Sequence, residues 1–436
     1  MHKNKSQYRW FVVTLLFMAL AINYMDRAAL SVAMPFVTKS FSLTPSEKGM
    51  VFSGFFIGYA AFNFIGGYLA DRFGPKRVFF WAMCIWSALC ALTATAFNFW
   101  SLLIIRALFG VGEGPVPTTA NKVVKNWFPI AERARAVGIN QAGGPLGGAL
   151  AGPIIGFLAI SLSWQWSFVI VGAIGVLWAL VWRIVATDYP AQHPRVSAEE
   201  LAEIQKGRVE MDNLELVGGE RPTLSSVLLR PSVLFTGFSL FCYNYTLYFF
   251  MTWFPSYLVD TKGVSLQQMS WVTAFPWLVG ACGMAAGGFL IDRIYLKTGR
   301  QLFSRKVVLV SCLLVAAACI GISGQMEAAV GVVIFMSVAI GFLMLTASAY
   351  WALIQDTVPS CYVGTAGGLM HGMGNCAGLF APTLTGFIIE STGTYSAAFV
   401  VTGVLGVAGA LAVGVFVKDS SKHISSSTGV ESLERL

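Results

Sequence analysis

Twelve times along this chain an apolar run of about 20 residues returns, the length an α-helix needs to cross a hydrocarbon core about 30 Å thick. The runs fall at about 10–35, 48–70, 78–97, 100–121, 136–160, 165–187, 232–259, 267–291, 306–325, 329–353, 362–389 and 393–417. Lipid offers no partner to a backbone N–H or C=O, so each run has to satisfy its own by forming a helix. Charged residues make up 11% of the chain, against about 25% in a soluble domain, and hydrophobic ones 56%. The predicted fold class is therefore an all-α integral membrane protein of twelve transmembrane helices.

Basic residues set the expected orientation. With twelve spans both termini lie on one side, and that side collects Lys3, Lys5, Arg9, Arg72, Lys76, Arg77, Lys122, Lys125, Arg133, Arg135, Arg293, Lys297, Arg300, Arg305 and Lys306. The opposite loops offer Lys39, Lys48 and Lys262. The positive-inside rule then puts both termini in the cytoplasm, and the net charge of +8 reports topology rather than nucleic-acid binding. The run after Met1–Arg9 is too long for a signal peptide and lacks a small-residue cleavage site, so the first span is expected to stay. The eight cysteines show neither CxxC nor metal spacing and suit packing.

The polar stretch between the sixth and seventh spans divides the chain into an N-terminal bundle (1–187), a cytoplasmic central loop (188–231), a C-terminal bundle (232–417) and a tail (418–436). In the loop, Ser197-Ala-Glu-Glu reads as the capped start of an amphipathic helix. The bundles repeat one another. "GGYLADR" (66–72) returns as "GGFLIDR" (287–293), and at the same offset Asn23-Tyr24 returns as Asn244-Tyr245. Leu247 and Tyr248 then stand where the first half has Asp26 and Arg27, so the charge belongs to one half. A second pairing, 138–157 with 368–387, sets Gln141 opposite His371 in glycine-rich helices that can pack closely.

Ionisable residues inside a membrane are costly and mark functional sites. Asp26 and Arg27 sit well inside the first span, Arg106 and Glu113 in the fourth, seven residues apart on one helix face. Counted from the helix ends, Asp26 and Arg106 lie at similar depth, roughly 9–12 Å, and could meet. Glu113 falls mid-helix among Gly112, Gly114 and Pro115, a setting in which a carboxyl can take up and release a proton. Arg27 has a planar fork that can grip a carboxylate at two points, and Asn23, Tyr24 and Ser31 share its face. The competing reading of each pair is a purely structural ion pair.

"GYLADRFGPKR" (67–77) and the weaker "GFLIDRIYLKTGR" (288–300) resemble the signature loop of the major facilitator superfamily. "NYMDRAALSVA" and "RALFGVGEGPVPTTANKVVKNWFPIAERARAVG" resemble its anion:cation symporter family, whose bacterial members are similar to proton-coupled carriers of sugar acids. The resemblance implies a fold of two pseudo-symmetric six-helix bundles and uptake of a small organic anion with protons by alternating access. It implies Arg27 for the substrate carboxylate, Asp26 and Glu113 for protons, and Arg106 as electrostatic partner. Asn23, Tyr24, Tyr59, Gln141, Tyr245, Ser348, Trp351, His371 and Asn375 are cavity candidates; Met370-His371-Gly372 stands where relatives show an FNF-like pattern. Gly67, Asp71, Arg72, Gly74 and Arg77, with Asp292 and Arg293, are candidates for conformational switching at the surface rather than substrate contact.

The expected partners are the anion, protons and the bilayer of a cell's inner membrane, for a monomer with no cofactor or metal beyond the coupling ion. No nucleophile–base or metal-ligand constellation speaks for an enzyme. Three alternatives remain open. "GGPLGG" (143–148) resembles an antiporter motif, although close helix contact explains it too. An anion exchanger or drug:proton antiporter would keep the fold, and a membrane sensor would need an output domain that the short loop and tail cannot make.

Overall fold

The computed structural model describes residues 7–205, 223–358 and 362–418. Its spanning helices are α1 (Tyr8–Phe41), α2 (Pro45–Phe73), α3 (Pro75–Leu92), α4 (Phe99–Trp127), α5 (Ile130–Ser161) and α6 (Trp164–Val185). A linker helix α7 (Ala198–Gln205) follows. The second set is α8 (Pro231–Asp260), α9 (Leu266–Thr298), α10 (Gln301–Ser323), α11 (Ala329–Thr357), α12 (Thr365–Thr392) and α13 (Ser396–Phe416). Eleven are long and apolar enough to cross a membrane as they stand, and twelve with α2, which bends after Asn63.

Local chemistry fixes where these helices begin. Thr44 and Glu47 form a capping box ahead of Pro45, in which Glu47 N donates to Thr44 Oγ1 (3.3 Å) and Thr44 N to Glu47 Oε2 (2.9 Å). Asn98 caps α4 through Ser101 N (2.8 Å), and Ser265 caps α9 through Gln268 N (3.2 Å). Because lipid tails are as apolar as leucine, tight packing of small residues holds the helices together. A Cβ added at Gly147 of α5 would stand 2.0 Å from the Ala21 carbonyl oxygen of α1, which shows how closely these two backbones approach.

Several spans are interrupted near the middle of the molecule. α4 breaks between Glu113 and Val116, α11 between Leu345 and Ala347, and α12 between Asn375 and Ala377. Irregular backbone at that depth is tolerated where it faces protein or a cavity rather than lipid.

The two bundles meet on the face away from the termini. Ser31 Oγ of α1 donates to the Thr252 carbonyl of α8 (2.9 Å), Thr383 Oγ1 of α12 bonds Ser53 Oγ of α2 (2.8 Å), and Gly148 of α5 lies against the Trp277 ring of α9. Toward the terminal face, Gly138, Gly368 and Gly372 have nothing within 4 Å of where a Cβ would stand. Gln141 and Ser348 are exposed there. The polar contacts that join the two bundles thus lie on the far face.

The described part of the central loop packs on the first bundle. Glu200 N donates to Ser197 Oγ (3.2 Å), the cap expected from the sequence. The Glu200 carboxylate in turn accepts from the first backbone N–H groups of α1, Tyr8 (3.2 Å) and Arg9 (3.1 Å). Arg9 completes the clamp by pairing with Glu132 of α5 at 2.9 Å and Glu203 at 3.1 Å. The end of the loop before residue 223 and the tail beyond residue 418 lie outside the described residues.

Candidate functional site

Asp26 and Arg27 are adjacent in sequence and face different partners, because consecutive helix residues point about 100° apart. Arg27 Nε donates to Glu113 Oε2 at 2.7 Å, with side-chain exposures of 7% and 0%. The guanidinium is also walled by aromatic faces, its central carbon 4.5 Å from the Tyr59 ring, 4.9 Å from Phe55 and 5.5 Å from Tyr24. Glu113 Oε1 is buried without a hydrogen-bond partner, and Asn23 stands beside that carboxyl.

Asp26 turns to α3. Trp86 Nε1 donates to its Oδ2 at 2.8 Å and Cys90 Sγ to its Oδ1 at 3.7 Å. The expected meeting of Asp26 with Arg106 is not seen. Arg106 lies over Phe109 (4.7 Å) and Phe55 (5.4 Å) instead, with its Nε buried and unpartnered. The reason is register: similar depth does not make two side chains face each other, and the Asp26 carboxyl is taken by Trp86 and Cys90 of α3.

The second bundle supplies a neutral polar string. Tyr248 packs its ring on Phe56 (4.5 Å) and donates its hydroxyl to Asn375 Oδ1 (3.1 Å). Asn375 Nδ2 bonds His371 Nδ1 (2.9 Å), and the His371 ring lies 6.0 Å from that of Trp351. With the amide so oriented, His371 Nδ1 accepts and its Nε2 carries the hydrogen. Trp351 is 45% exposed. Tyr24 meets Trp277 edge to face at 6.1 Å, which carries contact across the bundles beside Arg27.

Of the residues singled out from sequence, Asn23, Tyr24, Arg27, Tyr59, Arg106 and Glu113 gather in one cluster, and Trp351, His371 and Asn375 in the opposing one. Tyr245 is 1% exposed beside Phe241, its hydroxyl without a partner, and does not join the Tyr248 string. Phe55, Trp86, Cys90 and Tyr248 escaped the sequence reading. For Tyr248 a signal existed, since it occupies the repeat position of Arg27.

The signature loop stays within the first bundle. Lys122 Nζ bonds Asp71 Oδ1 at 2.5 Å, and Arg72 bonds the Tyr68 hydroxyl at 2.9 Å. Gly74 turns the chain with φ +85°, and Asp188 Oδ1 accepts from Lys76 N at 2.8 Å, capping α3. Gly67 is half-buried, whereas Arg77, Asp292 and Arg293 are exposed.

Two helical bundles of membrane-spanning length, joined on one face and enclosing buried charge, are the build of a membrane transporter rather than an enzyme. The chain belongs to the Major Facilitator Superfamily, whose profile matches residues 16–378 and 301–435. It is 47% identical over 409 residues to the hexuronate transporter of Bacillus subtilis, covering 93% of this chain and 94% of that protein. It is 36% identical to a probable sulfoacetate transporter of Cupriavidus necator, covering 94% of each. A D-galactonate transporter of Escherichia coli O6:H1 is 30% identical, with 94% of this chain and 96% of that one covered. Among solved structures, the D-xylose–proton symporter matches with a TM-score of 0.73 at 17% identity, over 95% of this chain and 99% of that one. A bacterial homolog of the lysosomal transporter Spinster, inward-facing and occupied, matches with a TM-score of 0.70 at 19% identity, over 94% and 95%.

Proposed function

We propose that this protein takes up a sugar acid, of the hexuronate or hexonate type, together with protons across a bacterial inner membrane. The observation that carries the reading is the Arg27–Glu113 pair: a guanidinium at the centre of the molecule whose only carboxylate partner within 4.0 Å among the described residues is itself able to bind a proton. A substrate carboxylate and Glu113 compete for the same cation. Protonation of Glu113 releases Arg27, and an arriving anion keeps Glu113 from reclaiming it. Proton and anion binding therefore favour each other, which is the linkage a symporter needs.

The second bundle suits the other end of such a substrate. Tyr248, Asn375 and His371 offer hydroxyl, amide and imidazole groups that both donate and accept, as a polyhydroxy chain requires. The transporters of hexuronate and galactonate among the relatives support the same substrate class. Asp26 provides the second proton site, bonded to Trp86 within the first bundle. Two protons carried with a monoanion move one net positive charge inward, worth about 2.3 kcal/mol at 100 mV. In this reading both termini face the cytoplasm, and the joined face of the bundles is the outer one.

Proteoliposomes test this directly. Uptake of a hexuronate should follow an imposed inward pH gradient and increase with an inside-negative voltage, and Arg27→Gln should abolish binding of every acid in a thermal-shift screen. Counterflow that proceeds equally well with no dependence on pH would establish exchange instead, and retained binding in Arg27→Gln would remove the assigned role.

A further inference from the structure

The far face is closed by two polar contacts built alike, with the donor from the first bundle and the carboxylate from the second. Lys48 Nζ lies 3.8 Å from Asp260 Oδ2, and Ser46 N donates to Glu390 Oε2 at 2.9 Å. Both donors stand at the start of α2. Lys48 is 8% exposed, a high degree of burial for an amine. The acid beside it, Glu47, is committed to the Thr44 capping box, while Asp260 is held on the second bundle by the Tyr395 hydroxyl at 3.2 Å. When the bundles part on this side, Lys48 loses its partner and Ser46 N loses its acceptor on Glu390, while the Thr44–Glu47 box stays with α2.

Lys48 also lies on the helix that contributes Tyr59 to the central cluster. It precedes Tyr59 by about three helical turns, so the two share one face of α2 roughly 16 Å apart. Tyr59 is the ring 4.5 Å from the Arg27 guanidinium. An opened far side would thus show one wall with an ammonium at its rim and a guanidinium at its floor.

We propose that Lys48 is an entry site for the carboxylate of the transported anion, and that the anion takes the place of Asp260 on it. The inference rests on the anion-transport reading above. The exchange swaps one carboxylate for another on the same ammonium, so the buried amine keeps a partner during opening while the displaced Asp260, 42% exposed at its side chain, is left to water. It also gives the anion a contact that exists only with the far face open, and a ligand shifts a conformational equilibrium by its differential affinity for the two states. A neutral sugar cannot make the exchange, so the gate itself discriminates for anions.

The test uses the full chain in proteoliposomes of known sidedness, with a hexuronate presented to one face at a time. Lys48→Met should raise KM from the far face about twofold to fivefold, the ratio to which an exposed ion pair corresponds. It should also flatten the dependence of that KM on salt, with a smaller change in KM from the terminal face that comes only from the weakened closure and shows no such flattening. Lys48→Arg should restore the value, and Asp260→Asn, which removes the competitor, should lower it. Unchanged far-face KM in Lys48→Met, or equal changes from both faces, overturns the entry site while Arg27→Gln still abolishes binding. If no acid binds the wild-type protein, both readings fall together.

Discussion

Glu113→Gln separates the charge of the central pair from its shape. The amide keeps the size of the side chain and one acceptor for Arg27 Nε, now 2.7 Å from a carboxylate oxygen, and removes the negative charge. Breaking a buried ion pair costs about 3–5 kcal/mol because the remaining charge is left uncompensated. Here the amide oxygen can still accept from Arg27 Nε, which spares about 1.5–3 kcal/mol of that, and the rings of Tyr59, Phe55 and Tyr24 contact the guanidinium in either form. A net cost of about 2 kcal/mol remains, and a bound anion can recover it, equivalent to roughly thirtyfold in affinity. The variant should therefore melt below the wild type without ligand, bind a hexuronate more tightly, and show a larger ligand-induced rise in melting temperature. In the wild type, acidification should strengthen binding, because a proton on Glu113 removes the competitor for Arg27. The variant mimics the protonated state and should be flat with pH. Calorimetric titrations of both proteins from acid to neutral pH check this, and pH-driven accumulation should be lost in the variant. Weaker binding that keeps the wild-type pH dependence would refute the competition.

Trp86→Phe removes the indole that donates to Asp26 Oδ2 at 2.8 Å and leaves a buried carboxylate short of a partner. A stability loss of about 1–3 kcal/mol is expected, read as a lower melting temperature and reversed by adding Asp26→Asn. Tyr248→Phe cuts the hydroxyl from Asn375 and should weaken binding of polyhydroxy acids by about 1 kcal/mol, roughly fivefold, while sparing a carboxylate without hydroxyls. Competition binding with the two ligand types measures the difference. Gly74→Ala imposes a side chain at φ +85° and 2.7 Å from Asp188 Oδ1, the group that caps α3. A loss of about 1–2 kcal/mol in thermal stability with unchanged ligand affinity is expected.

The sequence by itself determined the class of this molecule, since a chain with twelve apolar runs and little charge between their ends has no folded form in water. It also exposed the duplication and the four intramembrane charges, because each is costly enough in lipid to stand out in one dimension. Helix starts such as Thr44 and Ser265 were likewise local, decided by side chains within four residues of the backbone they cap.

Which charge meets which was not legible there. Arg27 takes Glu113, Asp26 takes Trp86, and Arg106 rests on phenylalanine rings, because side-chain direction depends on how α1, α2, α3 and α4 are rotated against one another. That rotation is set by close backbone contacts, such as Ala21 against Gly147, that join distant segments. The same holds for Lys48 and Asp260, two hundred and twelve residues apart, and for the choice of Tyr248 over Tyr245 as the residue that faces Asn375. Burial energy fixes how deep a residue lies from composition alone, whereas direction and partnership exist only after the bundles have packed.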